Sequence, residues 1–321
     1  MKSKLSLFLS LVVIASVILA ACGGPPATEA PAATEAPAST EAPASTEAPT
    51  VTGFKEAPDL AEMVAAGSLA PVEERLPDAP VVTTPTESVG KYGGTLHTAS
   101  WWPEVGNVQL YFAVDAPIKW KADLSGYEPG LVESYEWSED GKTFTMHMRQ
   151  GLKWSDGEPY TTADWKFWWD FANNPDQKKW TIPAYLRNND GTPIDITFPD
   201  DYTIVWTASD RPLWIDPYFM AQGFWEFATN FMKPAHYLKE YHPEFTTSGK
   251  TWEDYTNIDK WWQTPGYPCL FAWCLTELSS DGQLYTFTRN PYYWRVDTEG
   301  NQLPYIDAIQ VRSWPTSRPV F

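Results

Sequence analysis

Between Tyr127 and Asp170 the chain alternates, turns and alternates again in an order that few folds accept. Thr143-Phe144-Thr145-Met146-His147-Met148-Arg149 alternates strictly, so an extended strand puts Phe144, Met146 and Met148 on one face. Tyr135-Glu136-Trp137 precedes it as a short strand, and Glu139-Asp140-Gly141-Lys142 joins the two. Asp-Gly suits the positive φ that a tight hairpin demands. Gly151-Leu152-Lys153-Trp154-Ser155-Asp156-Gly157-Glu158-Pro159 then contains a second turn. Thr161 or Thr162 can cap a helix whose first turn carries Asp164. Trp165, Trp168, Trp169 and Ala172 fall on one stripe of that helix, as a core face requires.

The rest of the folded part is read from similar local signals. Asp59–Ala66 suits a short amphipathic helix, and the Pro-rich stretch Pro71–Pro85 runs on to a first strand at Lys91–Ala99. Trp101 and Trp102 follow that strand directly, and successive side chains of extended backbone point opposite ways, so both cannot be core. Leu284–Arg289 and Ala308–Ser313 are further strands; Asp297-Thr298-Glu299-Gly300-Asn301 between them is a turn, with spacing wrong for an EF-hand loop. The load of 18 Trp and 16 Tyr exceeds what a core of this size needs, which leaves rings to face a ligand. Trp154, Tyr293 and Trp294 are read as core. Four scattered histidines give no metal-ligand spacing, and there is no HExxH, GxSxG or phosphate-binding Gly-Lys loop. No catalytic residue, metal ligand or cofactor is expected. On extended backbone, Cys269 and Cys274 would lie far apart on opposite faces. A bridge would need an intervening turn, and two buried thiols are the expected state.

The N-terminal residues set the location. Lys2 and Lys4 precede a run of small and apolar residues, Leu5 to Leu19, short for a bilayer span and flanked like a secretory signal. Leu19-Ala20-Ala21-Cys22 resembles a lipobox, which predicts a signal over 1–21 and a mature chain tethered to the membrane through lipid on Cys22. Residues 22–52 are expected to be linker. Ala27-Thr28-Glu29-Ala30-Pro31-Ala32 recurs as Ala33–Ala38, Ser39–Ala44 and Ser45–Thr50. Each copy has a Pro, a Glu and no large apolar side chain, too little to repay ordering. At about 3.1 Å per residue, residues 23–50 reach about 85 Å at most. Residues 53–90 are expected to connect this linker to the folded domain at 91–321. The chain carries 41 acidic against 23 basic residues, a net charge of −18, which becomes −20 once Lys2 and Lys4 leave with the signal. Such a surface repels phosphate backbones and argues against nucleic-acid binding.

Leu131–Tyr135, Asp140–Arg149 and Lys153–Asp164 follow, in order, L-A-E-S-W, D-G-K-T-[YF]-T-F-x-L-R and K-[FW]-x-D-G-x-P-[LV]-T-A-x-D. Val132 and Met148 depart from the usual Ala and Leu but stay apolar. Asp201–Trp206, Met232–Tyr237 and Leu284–Trp294 continue the pattern, the last with R-N-P-x-Y-W. Together they resemble the peptide/nickel-type extracellular solute-binding proteins, family 5. The resemblance implies an α/β fold (α+β, mixed sheets) of the periplasmic-binding-protein-like type II kind, with residues 91–321 as the N-terminal half of the family: lobe I with its inserted subdomain, and the second lobe missing after Phe321. A fragment of a longer gene is the expectation. The family carries G-T-G-P-[YF] in a loop that lines its ligand cleft; here Pro268-Cys269-Leu270-Phe271-Ala272-Trp273 stands in that place, without the glycines. Contact there would fall to side chains, with Trp273 the candidate, and Trp101 and Trp102 are candidates where lobe I meets the cleft.

The resemblance further implies an extracytoplasmic, lipid-anchored substrate-binding protein that captures oligopeptides and delivers them to the permease and ATPase subunits of an ABC importer. An oligosaccharide is the alternative ligand, suggested by the Trp load and the absent glycines, and nickel is disfavoured by the scattered histidines. A Trp-rich secreted carbohydrate-binding or hydrolytic protein is the alternative from another class.

Overall fold

The structure, a computed structural model, describes residues 51, 53–100, 115–121, 123–174, 181–213 and 231–313. Cys22, the repeat segment, Trp101 and Trp102 lie outside the described residues.

Two four-stranded sheets organise the described part. The first has the order β5-β6-β8-β7 and is antiparallel throughout: β5 (Val132–Trp137), β6 (Thr143–Met148), β7 (Asp195–Asp200) and β8 (Thr203–Thr207). Phe144 lies opposite both Trp137 and Trp206, and Met146 opposite both Tyr135 and Ile204. The alternation read in the sequence is realised: Phe144, Met146 and Met148 are buried while their neighbours on β6 are half-exposed. The β5–β6 turn forms as Asp-Gly chemistry dictates. Asp140 Oδ1 accepts from the Lys142 amide at 3.1 Å, and Gly141 takes φ +67°. The same Asp side chain to backbone bond recurs at Asp156, Asp190 and Asp281, each before a glycine.

Helix α3 (Thr162–Ala172) covers this sheet, with α1 (Pro58–Ala65) and α2 (Val72–Arg75) preceding it in the chain. Thr161 is its N-cap: its hydroxyl accepts from Ala163 N at 3.2 Å, and Asp164 accepts from Thr161 N at 3.1 Å. Trp165, Trp168 and Trp169 are all buried; Trp165 and Trp168 meet Phe231, Trp165 also meets Trp206, and Trp169 packs on Trp168. This apolar body extends to Trp154, Tyr293 and Trp294.

The second sheet has the order β2-β12-β10-β9. β2 (Thr95–Ser100) runs parallel to β12 (Ala308–Ser313), while β10 (Leu284–Arg289) is antiparallel to β12 and to β9 (Trp273–Leu278). Its own core is small: Leu275, Tyr285, Phe287, Ile309 and Val311. The β9–β10 pair is local, joined across the Asp281 turn, but β2 and β12 are distant in sequence, so their pairing could not be read locally.

The residues before β2 are docked. β1 (Val81–Thr83) pairs in parallel with β11 (Arg295–Asp297), and Lys55 exchanges backbone bonds with Gly300 and Gln302 at 2.9 and 2.8 Å. Arg75 has no exposed surface. It donates to Ala70 O at 2.9 Å and Gln302 Oε1 at 3.0 Å, and it also reaches Pro291 O and the Glu56 carboxylate. A short antiparallel pair, β3 (Ile118–Trp120) with β4 (Tyr127–Pro129), a 3-10 turn at Ala184–Leu186, and two further helices, α4 (Ala235–Leu238) and α5 (Trp252–Ile258), complete the described elements.

Candidate functional site

The loop from Pro268 to Trp273 ends on a residue that packs against two apolar clusters, and three parts of the chain converge on it. The first is the turn after β6. Ser155 N donates to Cys269 O at 3.0 Å and Ser155 Oγ accepts from Cys269 N at 3.0 Å, a reciprocal pair that holds one end of the loop. The second is Asn290, just past β10. Its amide donates to Ala272 O at 2.9 Å, and its Nδ2 donates to Phe271 O at 3.0 Å and to Cys269 O at 3.4 Å. Asn290 is 1% exposed, and its Oδ1 accepts from Tyr292 N at 2.8 Å. The carbonyls of Cys269, Phe271 and Ala272 are thus engaged inside the protein.

The third is a disulfide. Cys269 and Cys274 are bridged, with Cα atoms 5.9 Å apart. The expectation of two buried thiols is therefore corrected. It assumed extended backbone between the two, but the chain bends at Phe271 and Ala272 before β9 begins, which supplies the turn a bridge needs.

Trp273, the candidate from the sequence, opens β9 opposite Arg289. It is half-buried and packs against both apolar cores. Its indole Nε1 donates to Ile306 O at 2.9 Å, so only ring surface is left to offer. Trp101 and Trp102 cannot be placed beside it, as they lie outside the described residues. Ser155 and Asn290 were not singled out beforehand, although both stand inside the quoted motifs. Their side chains matter through partners more than 15 residues away, which no local pattern displays.

Charged groups near the turn are tied down as well. Asp164 is 3% exposed and accepts from Thr161 N, from Trp154 Nε1 at 3.3 Å and from Ala235 N at 2.9 Å. Burial pushes its carboxyl up to about 6 despite those three donors. Asp156 bonds His236 Nε2 at 2.8 Å; burial opposes the imidazolium, yet the carboxylate holds His236 above its ordinary value. The turn at 297–301 is a turn, as read: Asp297 accepts from Glu299 N and Asn301 N at 2.8 and 2.9 Å. Among the described residues no group of three or more His, Cys, Asp or Glu is placed to hold a metal, and no helix is long and apolar enough to cross a membrane.

Residues 126–319 match the family described as "Bacterial extracellular solute-binding proteins, family 5 Middle". The periplasmic alpha-galactoside-binding protein of Rhizobium meliloti (strain 1021) is 31% identical over 278 residues, 78% of this chain and 38% of that protein. A probable ABC transporter-binding protein of Deinococcus radiodurans is 29% identical over 219 residues, 65% of this chain and 33% of that one. Among solved structures, an oligopeptide-binding protein OppA superposes with a TM-score of 0.67 at 34% identity, covering 82% of this chain and 42% of that one. The periplasmic binding protein MelB of Agrobacterium fabrum C58, in complex with stachyose, superposes with a TM-score of 0.64 at 30% identity, covering 82% and 41%. The chain thus spans well under half the length of these relatives, and its fold is the mixed α/β, periplasmic-binding-protein-like one with several sheets.

The match corrects one expectation. Residues 91–321 were assigned to the family's N-terminal half, whereas the matched segment is its middle part, residues 126–319. The assignment took β2 as the family's opening strand. β2 does pair with β12, but pairing within a sheet does not report where in a longer family a segment falls.

Proposed function

Because this chain belongs to the bacterial extracellular solute-binding proteins of family 5, a family of non-catalytic binders, we propose that it acts as the lipid-anchored substrate-binding component of an ABC importer, with an oligosaccharide as its ligand. Cys22 is the proposed anchor, the permease and ATPase subunits the proposed partners, and the outer face of the membrane the proposed location. The described body is the proposed lobe I of a type II clamp with its inserted subdomain.

One observation favours a sugar over a peptide. Receptors that hold a peptide by its backbone need unpaired main-chain donors and acceptors. In the 268–273 loop the amide of Cys269 and the carbonyls of Cys269, Phe271 and Ala272 already bond Ser155 and Asn290. With those groups engaged, the ring of Trp273 is the side-chain surface the loop presents, and an aromatic face suits the apolar face of a pyranose. The alpha-galactoside-binding relative and the stachyose complex of MelB support the same reading. The oligopeptide reading is second, supported by the 34% identity to an oligopeptide-binding protein OppA.

Calorimetric titration with stachyose, raffinose and a set of tri- to pentapeptides tests the choice. Saturable heat with the galactosides and none with peptides is expected. The reverse result would sink the sugar reading, and heat with neither would remove the importer role proposed for this chain.

A further inference from the structure

The Cys269–Cys274 bridge does more than close a short loop, because its two ends are held by different parts of the fold. Cys269 is bonded at both amide and carbonyl to Ser155, in the turn that follows β6. Cys274 is the second residue of β9 and pairs with Thr288 in the second sheet. On a strand, successive side chains point to opposite faces. A covalent bond that commits the Cys274 side chain to one face therefore commits Trp273 to the other. The bond from Trp273 Nε1 to Ile306 O at 2.9 Å then sets the angle of the ring. The indole is oriented before any ligand arrives, and a ring already ordered costs less entropy on binding than one that must be immobilised.

We propose that the Cys269–Cys274 disulfide is a positioning element that presets Trp273 as the aromatic platform for the ligand. Trp273 is the contact residue and the two cysteines act through it. The ligand part of this inference rests on the oligosaccharide reading above; the orientation of the ring does not.

The test uses the full chain as wild type, Cys269→Ser/Cys274→Ser, Trp273→Phe, Trp273→Ala and the Cys269→Ser/Cys274→Ser/Trp273→Phe combination. The first readout needs no ligand. The near-ultraviolet circular dichroism difference between wild type and Trp273→Phe isolates the signal of this one indole in its chiral surroundings. With the disulfide present the difference should be distinct; in the double-serine background it should fall by half or more. An undiminished difference would overturn the proposal. The second readout is affinity for stachyose. Loss of the disulfide should weaken it about tenfold, equivalent to about 1.4 kcal/mol. Trp273→Ala should weaken it further, and Trp273→Phe, which keeps a ring, should recover most of the affinity. If the double-serine variant keeps full affinity but melts lower, the disulfide is structural only and the proposal fails. If wild type binds no galactoside, the sugar reading fails while the dichroism comparison still decides the positioning. Should the double-serine variant not fold, the folded wild type is reduced with a water-soluble phosphine. The phosphine takes up oxygen from water to give the phosphine oxide, and the disulfide accepts two electrons and two protons to become two thiols.

Discussion

His242 has no exposed surface and is enclosed by the rings of Phe167, Phe171, Phe245, Trp252 and Tyr255, with centroids 4.7 to 5.7 Å away. Its Nδ1 accepts from Glu244 N at 3.3 Å. Burial lowers its pKa from 6.5 to about 4, so the folded protein holds it neutral. The stability this contributes is complete above pH 6.5 and is lost as pH falls toward 4, by up to roughly 3 kcal/mol. Urea midpoints of wild type and His242→Phe, compared from pH 7 to 4, should diverge in favour of the variant as pH falls; parallel curves would contradict the assignment. Asp164 works in the opposite sense. Its carboxyl is raised from 3.8 to about 6, so its burden is greatest above pH 6 and is relieved as pH falls toward 3.8. Asp164→Asn removes that slope but sets an amide N–H₂ donor against N–H donors that lose a carboxylate acceptor, and it should destabilise at every pH by about 1–3 kcal/mol. A variant more stable than wild type at pH 5 would refute this. The cap at Thr161 and Asp164 was legible because its atoms lie within four residues of one another. The cage around His242 was not, since its rings come from an α-helix, a loop and a second helix.

At the level of elements, the turns are local and the strap before β2 is not. Gly157 has φ +94°, and a Cβ there would come within 2.8 Å of Tyr292 Oη; Gly191 has φ +83° with nothing within 4 Å. Both are costly for Ala because of backbone alone, on the order of 1 kcal/mol. Gly157→Ala should therefore lower the melting temperature by more than Gly191→Ala, the excess reporting the Tyr292 contact; equal losses would count against it. The strap depends on Arg75, whose guanidinium satisfies Glu56, Pro291 O and Gln302 from full burial. Truncation to Ala breaks the ion pair with Glu56 and leaves Gln302 Oε1 without this donor, while Pro291 O keeps Gln302 Nε2, so Arg75→Ala should cost about 3–5 kcal/mol, read as a lower urea midpoint. A loss below 1 kcal/mol would mean the strap is dispensable. From the sequence, the helix at 58–65 could be read by its spacing, but β1 could not. Three residues of Pro-flanked chain carry no period, and only the partner β11, more than 200 residues later, makes Val81–Thr83 a strand.

Across the whole described body, two apolar cores share one half-buried ring. Trp273 packs against the large core under the first sheet and the small core of the second. Trp273→Ala should loosen their coupling. Unfolding followed by far-ultraviolet dichroism and by tryptophan fluorescence, coincident in wild type, should separate in the variant; continued coincidence would show that the cores are coupled elsewhere. What the sequence by itself determined is whatever a short window can encode: the alternation of β6, the Asp-Gly turns, the capped helix with its Trp stripe, and the ordered motifs that mark family 5. Those follow from backbone geometry and side-chain period within about a dozen residues. Only the tertiary structure decided that β2 joins β12 in the second sheet, that Arg75 docks the strap, that Cys269 and Cys274 are joined, and that Ser155 and Asn290 close on one loop. Each of these is a contact between residues brought together by burial, and its free energy exists only once the intervening chain has been ordered.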